Sequence, residues 1–270
     1  CLLNLKNGII AKRMKVMKNE TTLKQWHDDD LVKFHKEFKL TFGQCDINNK
    51  LTLAELLLMT SDTAVEDYNQ KGLSWQYLVD NGVTILTSRS AFHIEKMPVA
   101  NQKITLNTWE EKSEGLQLSR KYEIIDSESG ELLIKGWSFW TVVDFQKRKI
   151  IPPKMFTLRP EPTVSTDYDG VKPGKISLPE TMKEIGSHKI VFSDMDANGH
   201  TNNSKYINFV LDSLPAEYQN KTYKDFKINY SKEAVLNDEV CVQAEFARTE
   251  NKIIIAGKNK GNSCFECELY

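Results

Sequence analysis

The chain reads as an α+β protein built twice over. Two observations predict this. Six of its eight prolines fall between Pro152 and Pro179, a run that the interior of a sheet would exclude. On each side of that run, one segment of helical period precedes several segments of strand period. A helix followed by consecutive antiparallel strands buries its apolar stripe on the sheet, so each half should form a two-layer unit.

The elements follow in order. Residues 1–30 include CLLNLKNGIIAKRMKVMKNETT, which is basic and poor in acid. Its apolar runs are too short for a secretory signal and no small-residue cleavage site follows them. Met14 and Met17 each stand where a chain could start, so residues 1–30 are set aside as a poorly ordered leader. Residues 31–151 form the first unit. In LTLAELLLMTSDTAVEDYN, Leu53, Leu56, Leu57 and Val65 recur at helical spacing, and KITLNTWEE, LSRKYEIID and ELLIKGWSFWTVVD read as strands. Residues 152–187 are the proline-rich linker. Residues 188–270 form the second unit: SKYINFVLDSL carries Ile207, Val210, Leu211 and Leu214 on one face, and strands follow in YKDFKINYSKE, EVCVQAEFAR, NKIIIAGK and SCFECELY.

The repeat extends to single residues. Asp46-Ile47-Asn48 precedes the first helix as Asp196-Ala197-Asn198 precedes the second, and VANQKITLNTW parallels VLNDEVCVQAEF. Sliding one half over the other sets Lys50 opposite His200 and Met97 opposite Glu233. Only the second copy carries titratable groups suited to catalysis. Two such units side by side, sharing one sheet with two helices packed on it, make a tandem (double) hotdog.

Composition removes several classes of function. A net charge of −1 argues against nucleic-acid binding by bulk charge. No apolar run approaches the roughly 18 residues of a membrane-spanning helix. Five scattered cysteines are no disulfide framework and fit a reducing cytoplasm. Cys264-x-x-Cys267 lacks a second ligand pair for zinc and reads as strand. With neither a phosphate-binding loop nor a dinucleotide glycine pattern, no metal and no cofactor are expected.

At this point the sequence resembles the acyl-acyl carrier protein thioesterases of bacteria and plant plastids, over Phe34 to Arg248. The resemblance rests on an ordered set. In the second half it comprises DMDANGHTNNSKY from Asp194 to Tyr206 and INYSKE from Ile228 to Glu233. In the first half it comprises GVTILTSR from Gly82 to Arg89, Asn107-Thr108-Trp109, Ser119-Arg120 and WSFW from Trp137 to Trp140. It implies hydrolysis of the thioester that joins a fatty acyl chain to the phosphopantetheine arm of acyl carrier protein, with Asp196, Asn198, His200 and Glu233 as the catalytic set in the second unit. Some family members have a cysteine after the glutamate, where this chain has Ala234, so an acyl-cysteine at that position is excluded and water is the expected nucleophile.

Thioester hydrolysis needs a base for that water, donors for the oxyanion and a route for protons. Glu233 or His200 serves as base, Asn198 orients water or substrate, Asp196 fixes the loop or the tautomer of a neighbour, and the helix start after His200 offers backbone N–H groups. The first unit supplies the acyl pocket, with Met59, Thr63 and Thr84 as lining candidates. His93 ahead of Met97-Pro98 is read as a strand residue, because the second half of a dehydratase pattern is missing. A non-catalytic acyl-binding module and a hotdog 3-hydroxyacyl dehydratase are the competing readings. The carrier is acidic and calls for local Lys and Arg on the docking surface; monomer and homodimer both suit a chain that already holds two units.

Overall fold

The computed structural model describes residues 24–247 and 251–270; the leader reading over 1–23 lies outside the described residues. Among the described residues, twelve strands join one antiparallel sheet. They are β1 (Gln25–His27), β2 (Phe34–Lys39), β3 (Val83–Ile94), β4 (Lys103–Glu114), β5 (Gln117–Asp126), β6 (Leu132–Asp144), β7 (Lys149–Ile151), β8 (Lys183–Lys189), β9 (Asp225–Tyr230), β10 (Glu239–Ala247), β11 (Lys252–Asn259) and β12 (Asn262–Leu269). The strand order is β1-β2-β4-β5-β6-β3-β9-β12-β11-β10-β8, with β7 beside β6. From the centre outward, β3-β6-β5-β4-β2 on one side matches β9-β12-β11-β10-β8 on the other.

The halves meet where β3 pairs with β9, from Arg89 opposite Asn229 to His93 opposite Asp225. There Phe92 stacks on Phe226 with centroids 5.1 Å apart. Gly136 of β6 leaves room for this stack, since a Cβ there would lie 2.5 Å from the Phe92 ring. Beyond Arg89, β3 continues back to Val83 paired only with β6. The chain after β9 turns away, the Ser231 and Lys232 amides donating to the Cys264 and Ser263 carbonyls. A gap in the sheet therefore opens beside the segment that leads to Glu233.

The first helix, α1 (Leu53–Gln70), starts where the Thr52 hydroxyl accepts the Glu55 amide. It ends at Gly72, whose φ of +80° is the left-handed conformation that closes helices. Its buried face carries Leu53, Leu56, Leu57, Thr60, Ala64 and Asp67. A short helix α2 (Trp75–Asp80) follows. In the second half, α3 (Lys205–Ser213) has nine residues, half the length of α1. Leu214 is extended ahead of Pro215, as a residue before proline prefers. The short α4 (Ala216–Gln219) comes next.

Asp67 is an acid inside an apolar stripe. It is fully buried, with Arg120 Nη1 2.9 Å from one oxygen and His27 Nε2 and Lys71 Nζ each 2.9 Å from the other. Glu110 takes bonds from the Tyr68 hydroxyl at 2.5 Å and from Arg159 at 2.7 Å. Burial pushes the Asp67 carboxyl up, but Arg120 and Lys71 more than offset it and hold it below the usual carboxylate range.

Three expectations change. Strand β1 falls within the stretch set aside as leader, and β8 begins inside the range assigned to the linker. Both are edge strands at the ends of the sheet, half-solvated and lacking the alternation that marks a buried strand. The proline-rich segment is also no free spacer. Val164 accepts the Lys112 amide and Gly174 the Asn229 side chain, Thr166 bonds Glu111, and Tyr168 meets Trp137 edge-on at 5.2 Å. It lies over the sheet as a strap, covering Lys121, whose ammonium sits 2.8 Å from the Trp137 centroid and 4.0 Å from that of Tyr168. Burial lowers the Lys121 pKa to about 8, against a partial pull upward from Glu111.

Candidate active site

The two loops compared in the sequence share one backbone. In the second, Met195 bridges Thr201. The Asp196 carboxylate accepts the amides of Asn198 at 2.8 Å and His200 at 3.3 Å, and the Asp196 amide donates to the His200 carbonyl at 2.8 Å. In the first, Cys45 bridges Leu51. Asp46 accepts the amides of Asn48 and Lys50, and its own amide donates to the Lys50 carbonyl at 2.8 Å. The tip needs positive φ in each, met by Gly199 at +78° and Asn49 at +63°. Asp196 is therefore spent within its own turn, as an aspartate that folds its backbone back on itself. It fixes where His200 stands.

The segment facing each loop is equivalent too. Thr201 N–H donates to the Ala234 carbonyl at 3.1 Å, and Leu51 N–H to the Pro98 carbonyl at 2.8 Å. This sets Glu233 at the place of Met97, as the sliding comparison requires. His200 Nε2 lies 3.1 Å from Glu233 Oε2, with the side chains 40% and 53% exposed. The pair is thus open to water from one side. At the corresponding place in the first half, the Lys50 ammonium bonds the Thr222 hydroxyl at 3.0 Å instead.

The remaining expected residues fall as follows. Asn198 is exposed, and among the described residues its side-chain amide has no hydrogen-bond partner. Asn202 starts α3, its side chain accepting the amide and hydroxyl of Ser204. The amides of Thr201, Asn202, Ser204 and Lys205 all donate to protein oxygens, so the N–H groups of the approach, the N-cap and the first residue of this helix are committed. Asp194 anchors the loop entrance by accepting the Val191 amide and meeting His188 Nε2 at 2.9 Å.

Ala234 is fully buried, and no described cysteine replaces the missing thiol. Cys264 and Cys267 are buried in strand β12, and burial raises the pKa of both thiols; burial also pushes Cys241 up to about 11. His93 is a strand residue, bridging Asp225 at 2.6 Å and Glu95 at 3.0 Å; the hydrogen bond to Asp225 raises its pKa, against a smaller push down from burial. Among the described residues no cluster of side chains suited to a metal ion occurs, and no helix is long and apolar enough to cross a membrane.

Met59 and Thr63 are buried on α1, with the Thr63 hydroxyl donating to the Met59 carbonyl at 2.7 Å. Thr84 lies on the stretch of β3 that faces the sheet gap. A cleft of about 600 Å³ lies where β3 and β9 part, lined by Arg89, Ile176, Asn229, Ser231 and Glu266, and one of about 250 Å³ lies elsewhere, lined by Tyr218, Tyr223 and Phe246. Neither is lined by His200, Glu233, Met59 or Thr63.

Two family profiles match this chain: "Acyl-ACP thioesterase N-terminal domain" over residues 31–154 and "Acyl-ACP thioesterase C-terminal domain" over residues 179–264. The chain is 22% identical over 219 residues to the chloroplastic acyl-[acyl-carrier-protein] hydrolase FATB2 of Cuphea viscosissima, covering 76% of this chain and 53% of that protein. It is 29% identical over 204 residues to the chloroplastic palmitoyl-acyl carrier protein thioesterase of Cuphea hookeriana, covering 70% and 48%. The chain spans about half the length of these curated relatives. Among solved structures it resembles an acyl-ACP thioesterase from Bacteroides thetaiotaomicron (TM-score 0.75, 24% identity, 88% of this chain and 96% of that one). It also resembles the 12:0-ACP thioesterase of Umbellularia californica (TM-score 0.77, 15% identity, 90% and 98%). At these identities the structural likeness establishes the fold.

Proposed function

The chain belongs to the acyl-ACP thioesterase family, and from that premise we propose that it hydrolyses the thioester of fatty acyl-acyl carrier protein, releasing free fatty acid. In this reading the two halves are tandem hotdog units, the second catalytic and the first a partner that shapes the acyl site. The observation that carries it is the pairing of His200 and Glu233 at 3.1 Å on a loop whose twin holds Lys50 and Met97.

The proposed chemistry uses water. The His200–Glu233 pair takes the proton of a water that attacks the thioester carbonyl. Asn198, whose amide is uncommitted, orients substrate or water. Asp196 acts by holding the loop. As the carbon–sulfur bond breaks, the proton returns to the departing thiolate of the phosphopantetheine arm, so the cycle consumes one water and leaves a thiol and a carboxylic acid. The absence of a thiol at position 234 supports direct attack by water over an acyl-enzyme.

Met59, Thr63 and Thr84 remain the proposed acyl-lining positions. The flexible thioether of Met59 adapts to an apolar chain, and Thr84 borders the gap through which a chain could pass between β3 and the Glu233 segment. The test is a panel of acyl carrier thioesters of varied chain length, assayed for free thiol and free fatty acid. Stoichiometric release of both supports hydrolysis. Binding with a flat thiol trace would instead identify an acyl-binding module, and alkene formation without thiol a dehydratase.

A further inference from the structure

Three differences between the halves cluster around the glutamate without touching the proposed chemistry. Ala234 of the second half stands where the first has Pro98, and Thr201 where it has Leu51, by the shared loop bridges and amide bonds; five residues further along each chain, Tyr206 stands where the first half has Leu56. In the first half, Pro98 has no N–H to satisfy, its ring fixes the backbone, and the fully buried Leu56 can be apolar. In the second half the Ala234 N–H is buried and needs an acceptor. The Tyr206 hydroxyl, 2% exposed, provides it at 3.1 Å. On the other side of the residue, the Thr201 hydroxyl donates to the Ala234 carbonyl at 2.8 Å, beside the Thr201 amide bond.

We infer that Tyr206 and Thr201 are positioning residues that clamp Ala234 from both sides and thereby hold the Glu233 carboxylate against His200. Glu233 follows the end of β9 in a stretch of exposed residues, where Ala234 is the one buried position between Ser231 and Leu236. No sheet ladder fixes the carboxylate there. Two side-chain hydroxyls do in the second half what a proline ring does in the first. The inference rests on the proposed thioesterase reading for its kinetic consequence and on geometry alone for its structural one.

The experiment compares Tyr206→Phe in the wild-type and Ala234→Pro backgrounds, with Thr201→Val as a second probe of the clamp and Tyr223→Phe as control. Tyr223 donates to the Tyr218 carbonyl at 2.7 Å and lies outside the site. Tyr206→Phe should lower kcat about 5- to 10-fold, the worth of one neutral hydrogen bond, with KM little changed. It should speed amide exchange at Ala234 by about 10-fold or more, and Tyr223→Phe should do neither. In the Ala234→Pro background, where no N–H remains, Tyr206→Phe should have no further effect on kcat. An equal loss in both backgrounds would overturn the clamp, as would unchanged Ala234 exchange. If wild-type protein cleaves no acyl carrier thioester, the functional reading falls, and the exchange measurement still decides the clamp.

Discussion

Removing either member of the His200–Glu233 pair should separate rate from stability. At 3.1 Å two unit charges in a solvent-like medium attract by roughly 1.3 kcal/mol. With the side chains 40% and 53% exposed, ionic screening and the entropy of holding two chains reduce this to about 0–1 kcal/mol. Glu233→Ala and His200→Ala should therefore move the melting temperature by only about 0–4 °C. Loss of a general base costs about 10²–10⁴ in kcat, some 3–5 kcal/mol of activation free energy. The assay is thiol release from an acyl carrier thioester with a thiol reagent, run beside thermal melts of each variant. Because the two groups act as a unit, the double variant should be about as slow as the slower single one. Wild-type turnover in both folded single variants would refute the site. A large loss of melting temperature matching the loss of rate would show the pair to be structural.

Asp67→Asn leaves the Arg120 guanidinium buried beside a neutral amide, and should cost about 3–5 kcal/mol in chemical denaturation, whereas Lys71→Gln on the solvent side should cost about 0–1 kcal/mol. Because the folded Asp67 pKa is depressed, its stabilisation is complete above the ordinary carboxylate range and is lost as pH falls through the folded value; acid melts of Asp67→Asn should lack this component. Lys121 has the same sense at higher pH: burial holds its folded pKa at about 8, below the 10.5 of an ordinary lysine. The unfolded chain therefore binds the extra proton between these values, and stability should rise with pH there and lose that rise in Lys121→Met. Thr84→Phe, beside the sheet gap, should shift the preferred acyl chain toward shorter lengths in the substrate panel.

Much of the fold was legible because it is written in periodicity. The helix at Leu53–Gln70 follows from leucines three and four apart, and the long strands of the first half from alternation. Edge strands β1 and β8 were not, because a half-solvated strand such as KEIGSHK has no apolar rhythm to read. Pro215 explains why the second helix stops after nine residues, and it stood in the sequence as a stop signal. The Asp67–Arg120 pair had a visible trace as well, an acid three residues past Ala64 in the buried stripe, but its partner lies 53 residues away and no local pattern joins them. The same distance problem hides the strap, whose polar bonds to Glu111 and Asn229 span 55 residues. At the site, the repeat and the family resemblance together brought His200 to Glu233. Tyr206 escaped because an aromatic on an apolar helical face reads as core, and only the contrast with Leu56 and Pro98 shows what its hydroxyl does.

The seam between β3 and β9 lies within one polypeptide. A paired assembly of two separate, identical chains would fall apart on dilution and would carry every substitution twice, once at each loop. Here the strap joins the two units, so their encounter is intramolecular and independent of protein concentration. It also releases the loops from having to match: Lys50 and His200 can differ within a single molecule, and the architecture allots one His–Glu pair to each sheet.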